Sequence, residues 1–327
     1  MGRTPTELLF LTDPLEIPLK EPSWFFGGAE KDSPAAQLAY AQGLERAGER
    51  DEAIEAYDDL VRHWHATPEA LTAQLAIARL HSAAGETQLA YDADIYLLAH
   101  FNGRFELTPI LEDATAQADA LARRELDRTF RLTSGAGLRQ NYERIIHFAP
   151  RWRRVPDLLL RIAELYSENE EYASAITVCD RLIVDWPAYS KLDDVVSLYC
   201  RACRAQADLW ANDVGRLAHL ERLLAGARTF RPSHPDLAQF AEWEQEIRLM
   251  RRDRAYLAAA FYDNPKAYSP DAALLAYQAF LREFPDAPQA GAVRERIAAL
   301  APAAAGEAAP GGAVQSRSAD APSQTQD

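Results

Sequence analysis

Apolar residues recur along this chain in steps of three and four. Take the alanine of each segment as offset zero and read offsets 0, 1, 4, 7, 8 and 11. One segment then gives Ala53, Ile54, Tyr57, Leu60, Val61 and Trp64. Another gives Ala175, Ile176, Cys179, Leu182, Ile183 and Trp186, and the last gives Ala273, Leu274, Tyr277, Phe280, Leu281 and Phe284. This spacing places all six side chains on one stripe of an α-helix. The alanine lets a neighbouring helix approach closely, and the aromatic at offset 4 fills the space between helices. Pro187 and Pro285 follow at offset 12, where proline ends the helix. A further copy, "LRQNYERIIHFAP", sets Leu138, Tyr142, Ile145 and Ile146 at offsets 0, 4, 7 and 8.

The copies share a frame of about 37 residues, seen in Gly48/Gly85, Ala53/Ala90, Trp64/Phe101 and Pro150/Pro187. Each is preceded by a second amphipathic segment, such as Leu38/Ala41/Leu44 or Leu160/Ala163/Tyr166, across a short turn at Gly48, Gly85 or Asn169. The predicted unit is helix–turn–helix. Stacked units make an all-α solenoid that resembles the tetratricopeptide repeat, a right-handed superhelix with nearly one extra helical turn per unit. The frame breaks twice, so insertions are expected near 103–134 and 200–250. In the second repeat Asp94 takes the aromatic offset, and a local phase slip burying Ile95 or Tyr91 in its place is the expectation. The pattern divides the chain into an extended arm over 1–32, a repeat domain over 33–300 and an Ala-, Pro- and Gly-rich disordered tail over 301–327. The arm ends in Trp24, Phe25 and Phe26, expected to pack onto the first repeat.

Composition narrows the function classes. Hydrophobic residues make up 48% and charged residues 26%, which suits a chain that buries a real core. A net charge of −14 disfavours nucleic-acid binding, which needs clustered cations. The basic runs Arg151/Arg153/Arg154 and Arg248/Arg251/Arg252/Arg254 stand among acidic neighbours and read as salt-bridged helix faces. No apolar stretch approaches the length of a transmembrane helix. The apolar run Leu8–Leu11 is too short for an export signal, and no cysteine lies near it for lipid attachment. On residues alone the chain reads as cytosolic.

Catalytic, metal and cofactor motifs are not found. Cys200 and Cys203 form a C-x-x-C, but they fall in mid-helix without a second ligand pair and read as core thiols, as does Cys179. His63 and His65 diverge on a helix, so a shared metal is not expected. "SGAG" at Ser134–Gly137 lacks the lysine and hydroxyl of a phosphate loop. No enzyme activity and no cofactor are expected.

Two segments carry a more specific resemblance. "SPAAQLAYAQGLERAGERDEAIEAYDDLVRHWHATPEALTAQLAIARL" resembles the first repeats of the BamD/YfiO-like outer-membrane assembly lipoproteins. "RRDRAYLAAAFYDNPKAYSPDAALLAYQAFLREFPDAP" resembles their C-terminal repeat, including the Phe261–Tyr262 pair and the "FPDAP" of Phe284–Pro288. "WHATP" at Trp64–Pro68 departs by having His65 where the first proline is usual. The resemblance implies a scaffold at the periplasmic face of the outer membrane that helps assemble β-barrel proteins. Its partners would be a barrel-assembly protein and unfolded barrel substrates.

The first helix of each unit lines the concave groove of such a solenoid. Counting back from the repeat alanines, the groove candidates are Gln42, Glu45, Arg46, Thr72, Arg79, Asp157 and Glu164. A bacterial repeat adaptor of another kind, for a cell-wall or secretion complex, is the first alternative. A cytosolic co-chaperone is the second. Its clamp for a C-terminal carboxylate needs lysine and asparagine where this chain has Leu38, Gln42 and Ala76.

Overall fold

The computed structural model describes residues 17–22, 28–126, 135–264 and 269–307, and these carry thirteen α-helices and no strand. The Trp24–Phe26 triplet, Ser134 and residues 308–327 lie outside the described residues. The chain divides into two compact units, Met1–Cys203 and Arg204–Asp327.

In the first unit the helices are α1 (Pro34–Ala47), α2 (Arg50–His63), α3 (Pro68–Ala83), α4 (Thr87–His100), α5 (Leu107–Leu126), α6 (Gly135–Phe148), α7 (Val155–Glu168) and α8 (Tyr172–Asp185). The helix α9 (Leu192–Leu209) holds the boundary between the units. Each of α1 to α7 packs on the next in the chain. This is the tetratricopeptide-like arrangement of helix pairs that the periodicity predicts. The repeat alanines Ala53, Ala90 and Ala175 are fully buried, as are Tyr57, Leu60 and Leu182 of the same stripe. Ile54 and Ile176, at offset 1, are only half-buried.

Local signals set the helix ends. Ser33 and Thr67 cap α1 and α3, their hydroxyls accepting from Ala36 N and Ala70 N at 3.3 Å, with Pro34 and Pro68 in the first turn. The turns α1–α2 and α3–α4 use Gly48 (φ 83°) and Gly85 (φ 70°) in the left-handed region. In the α7–α8 turn the left-handed residue is Glu170 (φ 62°), one position beyond the expected Asn169. Glu170 stands five residues before Ala175, as Gly48 does before Ala53, so the turn keeps the frame and a non-glycine residue carries the strain.

The helix α5 has 20 residues, against the 14 of α1 or α7. Its buried Leu111, Ala114, Ala118 and Ala122 follow the helical period. Asp94 does not slip out of phase. Tyr91 and Ile95 are buried as expected, but Asp94 is buried with them at 2% exposure.

The second unit holds α10 (Val214–Phe230), α11 (Leu237–Tyr262), α12 (Pro270–Glu283) and α13 (Ala290–Glu307), again packed in chain order. The helix α10 has 17 residues, and α11, at 26 residues, spans about 39 Å. Ala259, Ala273, Tyr277, Phe280, Phe284, Val293 and Leu300 form one core cluster. Arg251, of the second basic run, is itself buried. It donates to Glu221 at 2.8 Å and to Glu283, and lies over the Phe284 ring. No described helix is long and apolar enough to cross a membrane.

Candidate functional site

The helices α1, α3 and α5 are the first members of three successive pairs. The structure joins two of the sequence-derived groove residues directly. Arg79 on α3 donates to Glu45 Oε1 on α1, and the Tyr57 hydroxyl donates to Glu45 Oε2 at 2.8 Å. Burial opposes the Glu45 charge, but the bonds from Arg79 and Tyr57 outweigh it and hold the carboxyl below its ordinary range. Burial and the same carboxylate push the Tyr57 phenol upward.

The other candidates act locally. Arg46 Nε donates to the Gln42 carbonyl at 3.1 Å, and the Thr72 hydroxyl donates to the Pro68 carbonyl at 3.2 Å. Asp157 opens α7 and accepts from Tyr189 at 2.7 Å and Lys191 at 2.9 Å. Burial raises its carboxyl, yet these two donors leave it lowered. Glu164, two turns further along α7, accepts from Arg161 at 2.9 Å.

Three groups that sequence reasoning did not assign to the groove lie between α3 and α5. Asp94, Asp113 and Gln117 line a cavity of about 440 Å³ together with Leu75, Ala78, Arg79, Ser82 and Ile110. Gln117 Nε2 donates to Asp94 Oδ2 at 3.1 Å. Burial, with a smaller contribution from Asp113, pushes the Asp94 carboxyl up to about 8. The available signal was Asp94 itself, an acid where the repeat asks for an aromatic.

A second surface carries part of the chain's own N-terminal arm. Lys20 Nζ reaches Asp58 Oδ1 at 2.5 Å and Gln74 Oε1 at 3.2 Å and lies over the Tyr96 ring. His100 bonds the Ile17 carbonyl at 2.9 Å, and Arg62 donates to the Glu21 carbonyl at 3.1 Å. Burial opposes the Asp58 charge, but Lys20 and Arg62 keep that carboxyl low. Residues 17–22 are thus fastened across α2, α3 and α4.

Cys179, Cys200 and Cys203 form no disulfide and are fully buried. Burial pushes the Cys179 and Cys203 thiols upward, the opposite of what a reactive thiolate requires. His63 bonds back to the Asp59 carbonyl at 2.9 Å, whereas His65 packs against Phe101 with ring centroids 4.7 Å apart, so the two imidazoles diverge. Of the first basic run, Arg153 pairs with Glu112 at 3.2 Å and Arg154 with Asp157 at 4.0 Å.

No family model and no curated protein matches this sequence. Solved structures similar to it are repeat proteins. A thermophilic TPR protein of Thermus thermophilus is 19% identical, with 64% of this chain and 98% of that chain covered and a TM-score of 0.29. A tetratricopeptide repeat protein of Parabacteroides merdae is 13% identical, with 82% and 98% covered and a TM-score of 0.30. PilW, described as a widely conserved type IV pilus biogenesis factor, is 12% identical, with 80% and 99% covered and a TM-score of 0.28. Superpositions at this level carry no functional information.

Proposed function

We propose that this chain is a non-enzymatic protein-binding scaffold that takes an extended partner segment along the wall formed by α1, α3 and α5. The observation that carries this reading is the set of polar groups from successive repeats: Arg79 on α3 bonds Glu45 on α1, and Arg79, Asp113 and Gln117 line one cavity. A wall of this kind recognises side chains of a long ligand one repeat at a time.

Within that class, the resemblance of residues 33–80 and 251–288 supports a BamD-like role in assembling β-barrel proteins at the periplasmic face of the outer membrane. The second reading is another bacterial repeat adaptor, in a cell-wall or secretion complex. The test is an affinity pull-down from the native host after separating envelope from cytosol. Co-purification with a barrel-assembly protein from the envelope supports the first reading. Recovery in the cytosol without an envelope partner sinks it, and capture of a cell-wall or secretion component favours the second.

A further inference from the structure

Three repeats place a tyrosine at offset 4 and bond its hydroxyl to a carboxylate. Tyr57 donates to Glu45 at 2.8 Å, Tyr142 to Asp119 at 2.8 Å and Tyr277 to Asp263 at 3.3 Å. The buried ring fills the pair, and its hydroxyl satisfies the acid. The second repeat abandons both halves of this arrangement. Asp94 stands where the ring would be, and the position one repeat after Glu45 is Ser82. A cavity lies at that place, with Ser82 and Asp94 in its lining.

What remains in the cavity is an excess of acceptors. Asp94 is 2% exposed and Gln117 9% exposed. Gln117 donates from Nε2 to Asp94, and Gln117 Oε1 is buried with no hydrogen-bond partner. Asp113 adds a second carboxylate. Arg79, the cation in the lining, is bonded to Glu45. Buried acceptors without donors are costly and are rarely left so. A ligand that satisfied them would bring several N–H donors and a positive charge. A guanidinium does this with five donors in a plane, which two carboxylates and an amide oxygen can share, whereas an ammonium offers three at a point. Leu75, Ala78 and Ile110 supply apolar lining for the methylene stem.

We propose that this cavity is a specificity pocket for an arginine side chain of a partner protein's extended segment, with Asp94 and Gln117 receiving the guanidinium and Asp113 beside them. The inference rests on the scaffold reading for the source of the arginine. At neutral pH the raised Asp94 carboxyl carries its proton most of the time, so entry of the cation displaces that proton. The charged groups on the helices facing Asp94 are Arg79 on α3 and Asp113 on α5, and neither replaces the missing donor.

The test uses the full chain and a blocked pentapeptide with arginine at the centre of four alanines, followed by NMR of the Gln117 side-chain amide. A glutamine-centred peptide serves as the control. The expected result is a saturable shift for the arginine peptide alone, weakened about tenfold by the near-isosteric Asp94→Asn. Asp94→Tyr restores the repeat residue and refills the space, so it should abolish binding while melting no lower than the unaltered chain. Equal response to the glutamine peptide, unchanged affinity in Asp94→Asn, or no saturation by about 10 mM peptide overturns the proposal. A failed pull-down with an intact peptide response would remove the barrel-assembly reading and leave the pocket. The reverse pattern would remove the pocket and leave the scaffold.

Discussion

Gln37 and Gln74, one repeat apart, make the same hydrogen bond. Gln37 Nε2 donates to the Ala56 carbonyl at 3.0 Å, and Gln74 Nε2 donates to the Ala93 carbonyl at 3.2 Å. Both side chains are fully buried, and both turn the amide oxygen toward the N-terminal arm. Gln37 Oε1 accepts from the Lys31 backbone and Gln74 Oε1 from Lys20 Nζ. The pair joins the two helices of each repeat and fastens the arm to both repeats.

Gln74→Leu should therefore do two things. Removing one buried partner should cost about 2 kcal/mol, read as a fall in the urea midpoint. Lys20 also loses one of its two side-chain acceptors, so limited proteolysis near residues 17–22 should speed up. Unchanged proteolysis would mean that Asp58 alone holds the segment.

Glu170→Gly should stabilise the protein. An exposed glutamate at φ 62° bears a backbone conformation that Gly48 and Gly85 adopt without strain in the equivalent turns. After the entropy lost on ordering a glycine, the expected gain is about 0.5–1 kcal/mol, measured by denaturant or thermal unfolding. A destabilised variant would mean that the glutamate side chain makes up the difference.

These two sites show how far the sequence can be read. Alanines at fixed offsets and the turn glycines define the helix pairs because packing and backbone conformation tolerate few residues there. Glu170 escaped notice because any residue can be forced left-handed when the flanking helices require it. Gln37 and Gln74 share the repeat spacing and could have been found, but glutamine on a helix reads as surface. The pairing of Glu45 with Arg79 depends on which turn of α1 faces which turn of α3, and periodicity does not carry that register. At Asp94 the mistake was physical. An unpaired acid was expected to rotate out of the core, but the tightly packed Ala90, Leu97 and Leu98 hold α4 in phase and take Asp94 in with them.

The Asp94 carboxyl should also leave a signature in the pH dependence of stability. Its folded value of about 8 lies above the ordinary 3.8, so the native state binds the proton more tightly than the unfolded chain. The stabilisation is complete below pH 3.8 and is lost as the pH rises through 8. Between about pH 5 and pH 8 this group should cost the protein about 3 kcal/mol. Asp94→Asn should flatten that slope, matching the unaltered chain near the acid end and exceeding it at the alkaline end. Urea midpoints of both proteins across the range decide the matter, and parallel slopes would exclude Asp94 as the source.

Native protein should leave Cys179, Cys200 and Cys203 unmodified by an aromatic disulfide reagent, and all three should react in denaturant. The thiols are wholly enclosed, so the native reaction should proceed only as fast as the structure opens. Rapid labelling of Cys200 or Cys203 in the folded state would reopen a redox role for the C-x-x-C pair.

The bond between Ile17 and His100 spans 83 residues of a chain whose helices otherwise pack on near neighbours in sequence. A stack built only from nearest-neighbour contacts can unravel from its end one repeat at a time, each step small and soon reversed. The tie changes that behaviour for the first two repeats. Pulling on the N-terminus loads the strap before it loads α1, and the end of the stack cannot peel while the strap holds. Once the strap yields, α2 to α4 lose a shared brace together. The first pair of repeats should then open in a single larger step, at higher force and with a longer lifetime than unbraced repeats of the same packing.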